Sequence, residues 1–318
     1  MHARHEDDEG AQVIRLASAR HDGGEDGGEA GEPGGDADTG PGPLERGIAS
    51  GLAFLRRRIS GEYEVDEFGY DPDFNEHVLL PAARALYERW FRVETAGVEN
   101  VPAEGGALIV ANHSGTVPLD ALMLSVALHD NARRCVRLLG ADLVYQVPVL
   151  AHLARKAGHT LACQADAARL LGKGELVGVF PEGFKGVGKP FSDRYKLQRF
   201  GRGGFVGTAL RAGVPIVPAA IVGAEEIYPK IGDLRPLARL LGLPYFPVTP
   251  TFPLLGPAGL VPLPSKWMIQ FGEPMTLDEY AAEDADDPMT LFNITDHVRE
   301  NVQQMLYDTL LRRGPAFF

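Results

Sequence analysis

A chain of 318 residues, 45% of them hydrophobic, is long enough for one sizeable α/β core. The formal net charge of -12 is unevenly placed: residues 1–45 hold 12 Asp/Glu against 3 Lys/Arg, a net of -9, which leaves -3 for everything after. With no basic patch interleaved with aromatics, no repeat and no run of the roughly 18 apolar residues a bilayer span needs, the pattern excludes nucleic acid as a partner and limits membrane contact to the periphery.

The Gly-rich acidic stretch 1–45 has almost no aromatic or β-branched residues. It cannot bury enough apolar surface to offset the entropy of ordering it, so it reads as a disordered tail ahead of one domain over 46–318. Its start lacks a basic region followed by an apolar one, and a cytoplasmic location is expected. LERGIASGLAFLRRRIS (44–60) sets Ile48, Leu52, Leu55 and Ile59 at helical spacing, with Arg56, Arg57 and Arg58 clustered near its end. That suits a core helix or an interfacial anchor whose arginines meet anionic headgroups. A second amphipathic helix follows in HVLLPAARALYERWF, closing the helical region 46–95.

From there short apolar runs alternate with helix-like segments. ALIVA, CVRLLGAD, HTLAC, ELVGVF and VPIVPAAIVG read as strands, separated by PLDALMLSVALHD, VPVLAHLARKAG, ADAARLLGKG and GGFVGTALRAG. This rhythm predicts an α/β fold with a mostly parallel central sheet flanked by helices. Cys135 and Cys163 fall in two of the strand-like runs without metal-pair spacing, and are expected to be small buried core residues in a reducing compartment. Residues 228–265 are rich in Leu, Phe and Pro and lack a steady period, which argues against a regular helix or central strand there and suggests an apolar lipid contact or a loop across the core. KWMIQFGEP reads as a last strand and residues 289–313 as a closing amphipathic helix.

Chemistry concentrates at two strand ends. Asn112 and His113 follow directly on ALIVA, at the carboxyl end of a buried strand, where α/β sheets place reacting groups. The small-residue turn SGTVP leads into a helix whose first turn holds Asp120, and Pro118 suits that first turn. A carboxylate folded back onto one ring nitrogen leaves the other as a base toward a hydroxyl. Each residue alone also has a structural reading, since a first-turn Asp is favoured by the helix dipole. The second strand end is Phe180, Pro181, Glu182 and Gly183, with Lys185 just beyond, followed by a glycine-rich stretch that carries Lys196, Arg199 and Arg202. Glycines and cations there suit a polar or phosphorylated group.

Taken in order, Asn112-His113 with Asp120, then Phe-Pro-Glu-Gly, then VPIVPAAIVG (214–223) resemble the first, third and fourth motifs of the glycerolipid, or lysophosphatidate, acyltransferase family (PlsC-like), over roughly residues 80–275. The resemblance implies His113 as general base and Asp120 as its orienting partner. It also implies substrate contacts from Asn112, Ser114 and Gly115, and from Phe180, Pro181, Glu182, Gly183, Lys185 and Arg202. The reaction implied is direct transfer of a fatty acyl group from acyl-CoA or acyl carrier protein to a glycerolipid hydroxyl. It needs no acyl-enzyme, metal or cofactor, and takes place at the inner face of the cell membrane. Two departures stand out. Six residues separate His113 from Asp120, where the family usually has four, and Gln164 stands near the position of a phosphate-holding Arg, with Arg169 the nearest substitute. A neutral acceptor such as diacylglycerol therefore fits as well as a phosphorylated one.

Three rival readings carry less. Gly183 to Lys189 matches a P-loop until Pro190 replaces the Mg²⁺-binding Ser or Thr. No Gly-x-Ser-x-Gly elbow supports a serine hydrolase. A catalytically silent lipid-binding or scaffold protein with the same fold is the alternative that the wider His-Asp spacing leaves open.

Overall fold

The computed structural model describes residues 43–201 and 203–317, so residues 1–42 of the acidic tail and Arg202 lie outside the described residues, while the last three residues of the expected tail, 43–45, already belong to the first helix. Internal contacts divide the chain into Met1–Ile48 and Ala49–Phe318, and the sheet belongs to the second unit. Its strands are β1 (Glu94–Ala96), β2 (Ala107–Ala111), β3 (Val136–Gly140), β4 (Thr160–Leu161), β5 (Leu176–Val179), β6 (Ile216–Val222), β7 (Gly232–Asp233), β8 (Pro247–Val248) and β9 (Met268–Phe271). The helices that matter here are α1 (Pro43–Ser60), α2 (Leu119–Ala132), α3 (Pro148–Lys156), α4 (Gln164–Gly172), α5 (Gly204–Ala212), α6 (Arg235–Leu240) and α7 (Pro288–Arg313).

Among the described residues, seven strands form one sheet in the order β1-β9-β6-β2-β5-β3-β4, and β7 pairs with β8 apart from it. Every pair in the large sheet is parallel except β6 with β9. The expected mostly parallel α/β sheet is thus borne out. Central strand β2 shows why: all five of its residues are buried, as a strand covered on both faces requires. Ala107, Ile109 and Ala111 face a core with Met123, Leu124 and Leu128 of α2 and a stacked Phe91–Trp267 pair. Leu108 and Val110 face Leu170, Val206, Leu210 and Val298 of α4, α5 and α7.

Several local expectations need correction. Glu94–Ala96, whose first two residues fall in the expected helical region 46–95, is an edge strand paired to β9, too short to show a period. The helix expected before it is helical from 72 to 90 but widens into π-turns at Asn75–Leu79 and Leu86–Trp90 around Pro81, whose ring and missing N–H disturb the regular ladder. The 228–265 segment does contain a helix, α6, because its proline, Pro236, lies in the first turn where an N–H has no partner anyway. Pro118 sits at the N-cap of α2, one step before the turn it was expected in. Neither cysteine is inside a strand: Cys135 precedes β3 and accepts from the Tyr70 hydroxyl at 3.0 Å, Cys163 is the N-cap of α4, and both are half-buried.

The α1 arginines also do not form the exposed cluster expected of them. Arg58 donates twice to buried Asp71 at 2.6 Å and Arg57 pairs with Asp73, leaving Arg56 at the surface. The outward face instead carries Leu52, Leu55 and Ile59, the last 87% exposed.

Candidate active site

β2 and β5 are neighbours in register, with Val110 opposite Val179, so they end at the same level and deliver His113 and Phe180 side by side. The rings stack at 4.5 Å between centroids and 26° between planes. The turn after His113 bends back through two left-handed residues, Gly115 (φ 99°) and Thr116 (φ 64°), before α2 begins. Glycine is required at the first: a Cβ on Gly115 would stand 2.7 Å from the Ala224 carbonyl oxygen.

That reversal brings Asp120, fully buried, onto the imidazole. Its Oδ2 lies 2.8 Å from His113 Nδ1 and also accepts from the Ser114 N–H at 2.8 Å, while Oδ1 accepts from the Ala121 N–H at 2.8 Å. A carboxylate so placed only accepts, so Nδ1 carries the hydrogen and Nε2 keeps a free lone pair. Nε2 meets no hydrogen-bonding group among the described residues, and the His113 side chain is 15% exposed. The six-residue turn therefore closes the pair that its length left open.

Glu182 is placed differently from a substrate contact. It is 4% exposed, its Oε1 accepts from the His113 N–H at 2.9 Å, and its Oε2 from the Gln198 N–H at 2.6 Å. Burial pushes its carboxyl above the usual range, partly offset by Lys189 at 4.0 Å. It thus fastens the backbone of His113 to the loop after β5. Asn112 is likewise consumed: its amide donates to Ile221 O at 3.0 Å and its Oδ1 accepts from Ile221 N at 2.7 Å, extending the β2–β6 ladder. Ser114 is fully buried and its hydroxyl finds no partner among the described residues, so it is not presented as a nucleophile.

Gly183 has open space where a Cβ would be, Pro181 is half-buried, and Phe184 and Lys185 are exposed beside it. Gly186 packs so closely that a Cβ would stand 2.5 Å from the His113 carbonyl oxygen. These residues form the rim of the site. Lys196 and Arg199 are exposed, Arg202 lies outside the described residues, and Arg169 pairs with Glu67 on the surface.

Lys189, which sequence suggested only as a P-loop lysine, is buried in an ion pair with Glu225 at 2.9 Å and donates to Lys196 O at 3.1 Å. A lysine so committed cannot cradle a nucleotide phosphate. Burial pushes the Glu225 carboxyl up to about 7 despite that lysine, and its Oε2 accepts from the Tyr195 N–H at 2.9 Å. No residue type or spacing near Glu225 hinted at this link, which depends on the loop after β6 folding under the site.

Residues 92–222 match the family model named Acyltransferase, a span that runs from the residue pair before β1 to the last residue of β6 and includes both strand ends. An uncharacterized protein of Mycobacterium tuberculosis is 59% identical over 280 residues, covering 87% of this chain and 78% of that protein. A bovine protein named DGAT1/2-independent enzyme synthesizing storage lipids is 23% identical over 225 residues, covering 69% of this chain and 64% of its own length. The crystal structure of the 1-acyl-sn-glycerophosphate (LPA) acyltransferase PlsC from Thermotoga maritima aligns with a TM-score of 0.49 at 18% identity, over 83% of this chain and 97% of that one. The family model spans both strand-end motifs, and the chain belongs to the acyltransferase family.

Proposed function

We propose that the protein moves a fatty acyl group from a thioester, acyl-CoA or acyl carrier protein, to the hydroxyl of a glycerolipid. The observation that carries this reading is the 2.8 Å contact between His113 Nδ1 and Asp120 Oδ2, which aims an unpartnered Nε2 out of a strand end. Nε2 takes the hydroxyl proton as the acceptor oxygen attacks the thioester carbonyl. The C–S bond then breaks, and the leaving thiolate recovers the proton from the imidazolium. Ser114 is buried, so its hydroxyl is not placed to compete as an acyl carrier.

A neutral acceptor, diacylglycerol or monoacylglycerol, suits the site as well as a phosphorylated one. Arg169 is engaged with Glu67, and Gln164 carries no charge. The name of the bovine relative, an enzyme synthesizing storage lipids, points the same way. Among the described residues no helix is long and apolar enough to cross a membrane. Peripheral contact with the inner face of the cell membrane would use the exposed apolar residues of α1 and of the 231–261 segment, where Leu240 is 81% and Leu254 83% exposed.

The test is thiol release by purified protein given acyl-CoA or acyl carrier protein and a panel of lysophosphatidate, lysophospholipid, monoacylglycerol and diacylglycerol. His113→Ala should lower the rate at least about 10²-fold. Equal rates for the two proteins would refute the assignment.

A further inference from the structure

The turn that joins β2 to α2 has to be held in place by something other than its own preferences. Thr116 is β-branched and sits at φ 64°, a left-handed conformation that is strained for such a residue. A turn strained at its middle and longer than four residues would otherwise relax, and Asp120 lies at its far end.

Three contacts oppose that relaxation. Gly115 is pressed against the Ala224 carbonyl, and the Thr116 hydroxyl donates to Tyr228 O at 3.2 Å. The third is a side chain from a distant element: the Tyr245 hydroxyl donates to Thr116 O at 2.5 Å. Tyr245 lies between α6 and β8, in the hairpin that stands apart from the main sheet. Its ring is wedged in place. Lys230 Nζ lies 4.5 Å from the ring centroid, and a Cβ on Gly188 would stand 2.9 Å from the ring edge. Burial, with Asp120 adding a smaller effect, pushes its phenol up to about 12, so it remains a donor across the working pH range.

We infer that Tyr245 is a positioning residue for the acyl transfer, its hydroxyl clamping the enlarged turn at Thr116 so that Asp120 stays aligned on His113. The inference rests on the His113–Asp120 reading above. It also explains how a spacing of six residues does the work usually done by four: the two extra residues are restrained from outside by a hairpin side chain.

The experiment compares Tyr245→Phe, which keeps the ring and removes the clamp, in the wild-type and Asp120→Asn backgrounds. In the wild-type background kcat for thiol release should fall about fivefold, with KM for acyl-CoA changed less than about twofold and the thermal midpoint lowered by only a few degrees. In the Asp120→Asn background the same substitution should change the rate by less than about twofold, because the carboxylate it positions is gone. A second readout needs no turnover: the His113 Nδ1 proton, held by Asp120 at 2.8 Å, should give a sharp low-field resonance in ¹⁵N-labelled wild type that broadens in Tyr245→Phe. Full activity in Tyr245→Phe, equal losses in both backgrounds, or an unchanged Nδ1 signal would each overturn the inference. If wild type released no thiol from any thioester, the proposed function would fail, while the resonance would still decide whether Tyr245 sets the dyad.

Discussion

The carboxyl ends of β2 and β5 and the segment around β7, α6 and β8 treat polar and apolar groups in opposite ways. At the strand ends the side chains of Asn112, Asp120 and Glu182 are buried, and their polar atoms are met by main-chain N–H or C=O groups or by the imidazole. In the hairpin segment Leu240, Leu241, Leu254 and Leu255 face outward, with Arg235 and Arg239 exposed among them. The proposed chemistry, which depends on distances of a few tenths of an ångström, falls where strand register dictates position, and the proposed adaptable contact falls on a loop that can tolerate change. Tyr245 is where the two regions meet.

The largest effect should come from the buried side of this contrast. Asn112→Ala would leave the main-chain N–H and C=O of Ile221 unpaired inside the sheet, and should cost about 3 kcal/mol in urea unfolding. A loss below about 1 kcal/mol would mean the ladder does not depend on it. The matching change on the exposed side, Leu240→Asp with Leu254→Asp, should leave unfolding nearly unaltered but weaken co-sedimentation with anionic vesicles at least about tenfold, since each leucine buried in lipid is worth about 1.5–3 kcal/mol. Unchanged vesicle binding would remove this segment from the membrane surface.

A further difference is a pH dependence that only the buried region should show. Glu225 titrates near 7 in the folded protein against 4.5 ordinarily, so between those values the folded state holds a proton that the unfolded chain has released. The stability this contributes is complete below about 4.5 and is lost as pH rises through about 7. The urea midpoint of wild type relative to Glu225→Gln should therefore decline from pH 5 to pH 8. A constant difference would show that Lys189 neutralises the carboxylate fully.

Legibility in the sequence followed how local each cause was. ALIVA announced a two-face-buried strand because every residue in it is apolar, and His113 at its end needed no further information to be placed. Glu182 was singled out for the right strand end, but its direction was not: pointing inward to the His113 N–H depends on β5 lying beside β2, 69 residues apart in sequence. Arg57 and Arg58 read as a free basic cluster because their partners, Asp71 and Asp73, come after a turn whose path no spacing reveals.

By itself the sequence determined the α/β class and the residue types gathered at the two strand ends, because apolar periodicity and strand-to-turn boundaries are short-range properties of the chain. Tertiary structure alone decided that the long turn closes on His113, that Asn112 and Glu182 serve the scaffold, and that α1 turns its leucines outward. Each of those outcomes is set by a partner atom brought from a remote segment, and the energy of such a meeting belongs to the pair and to neither local sequence.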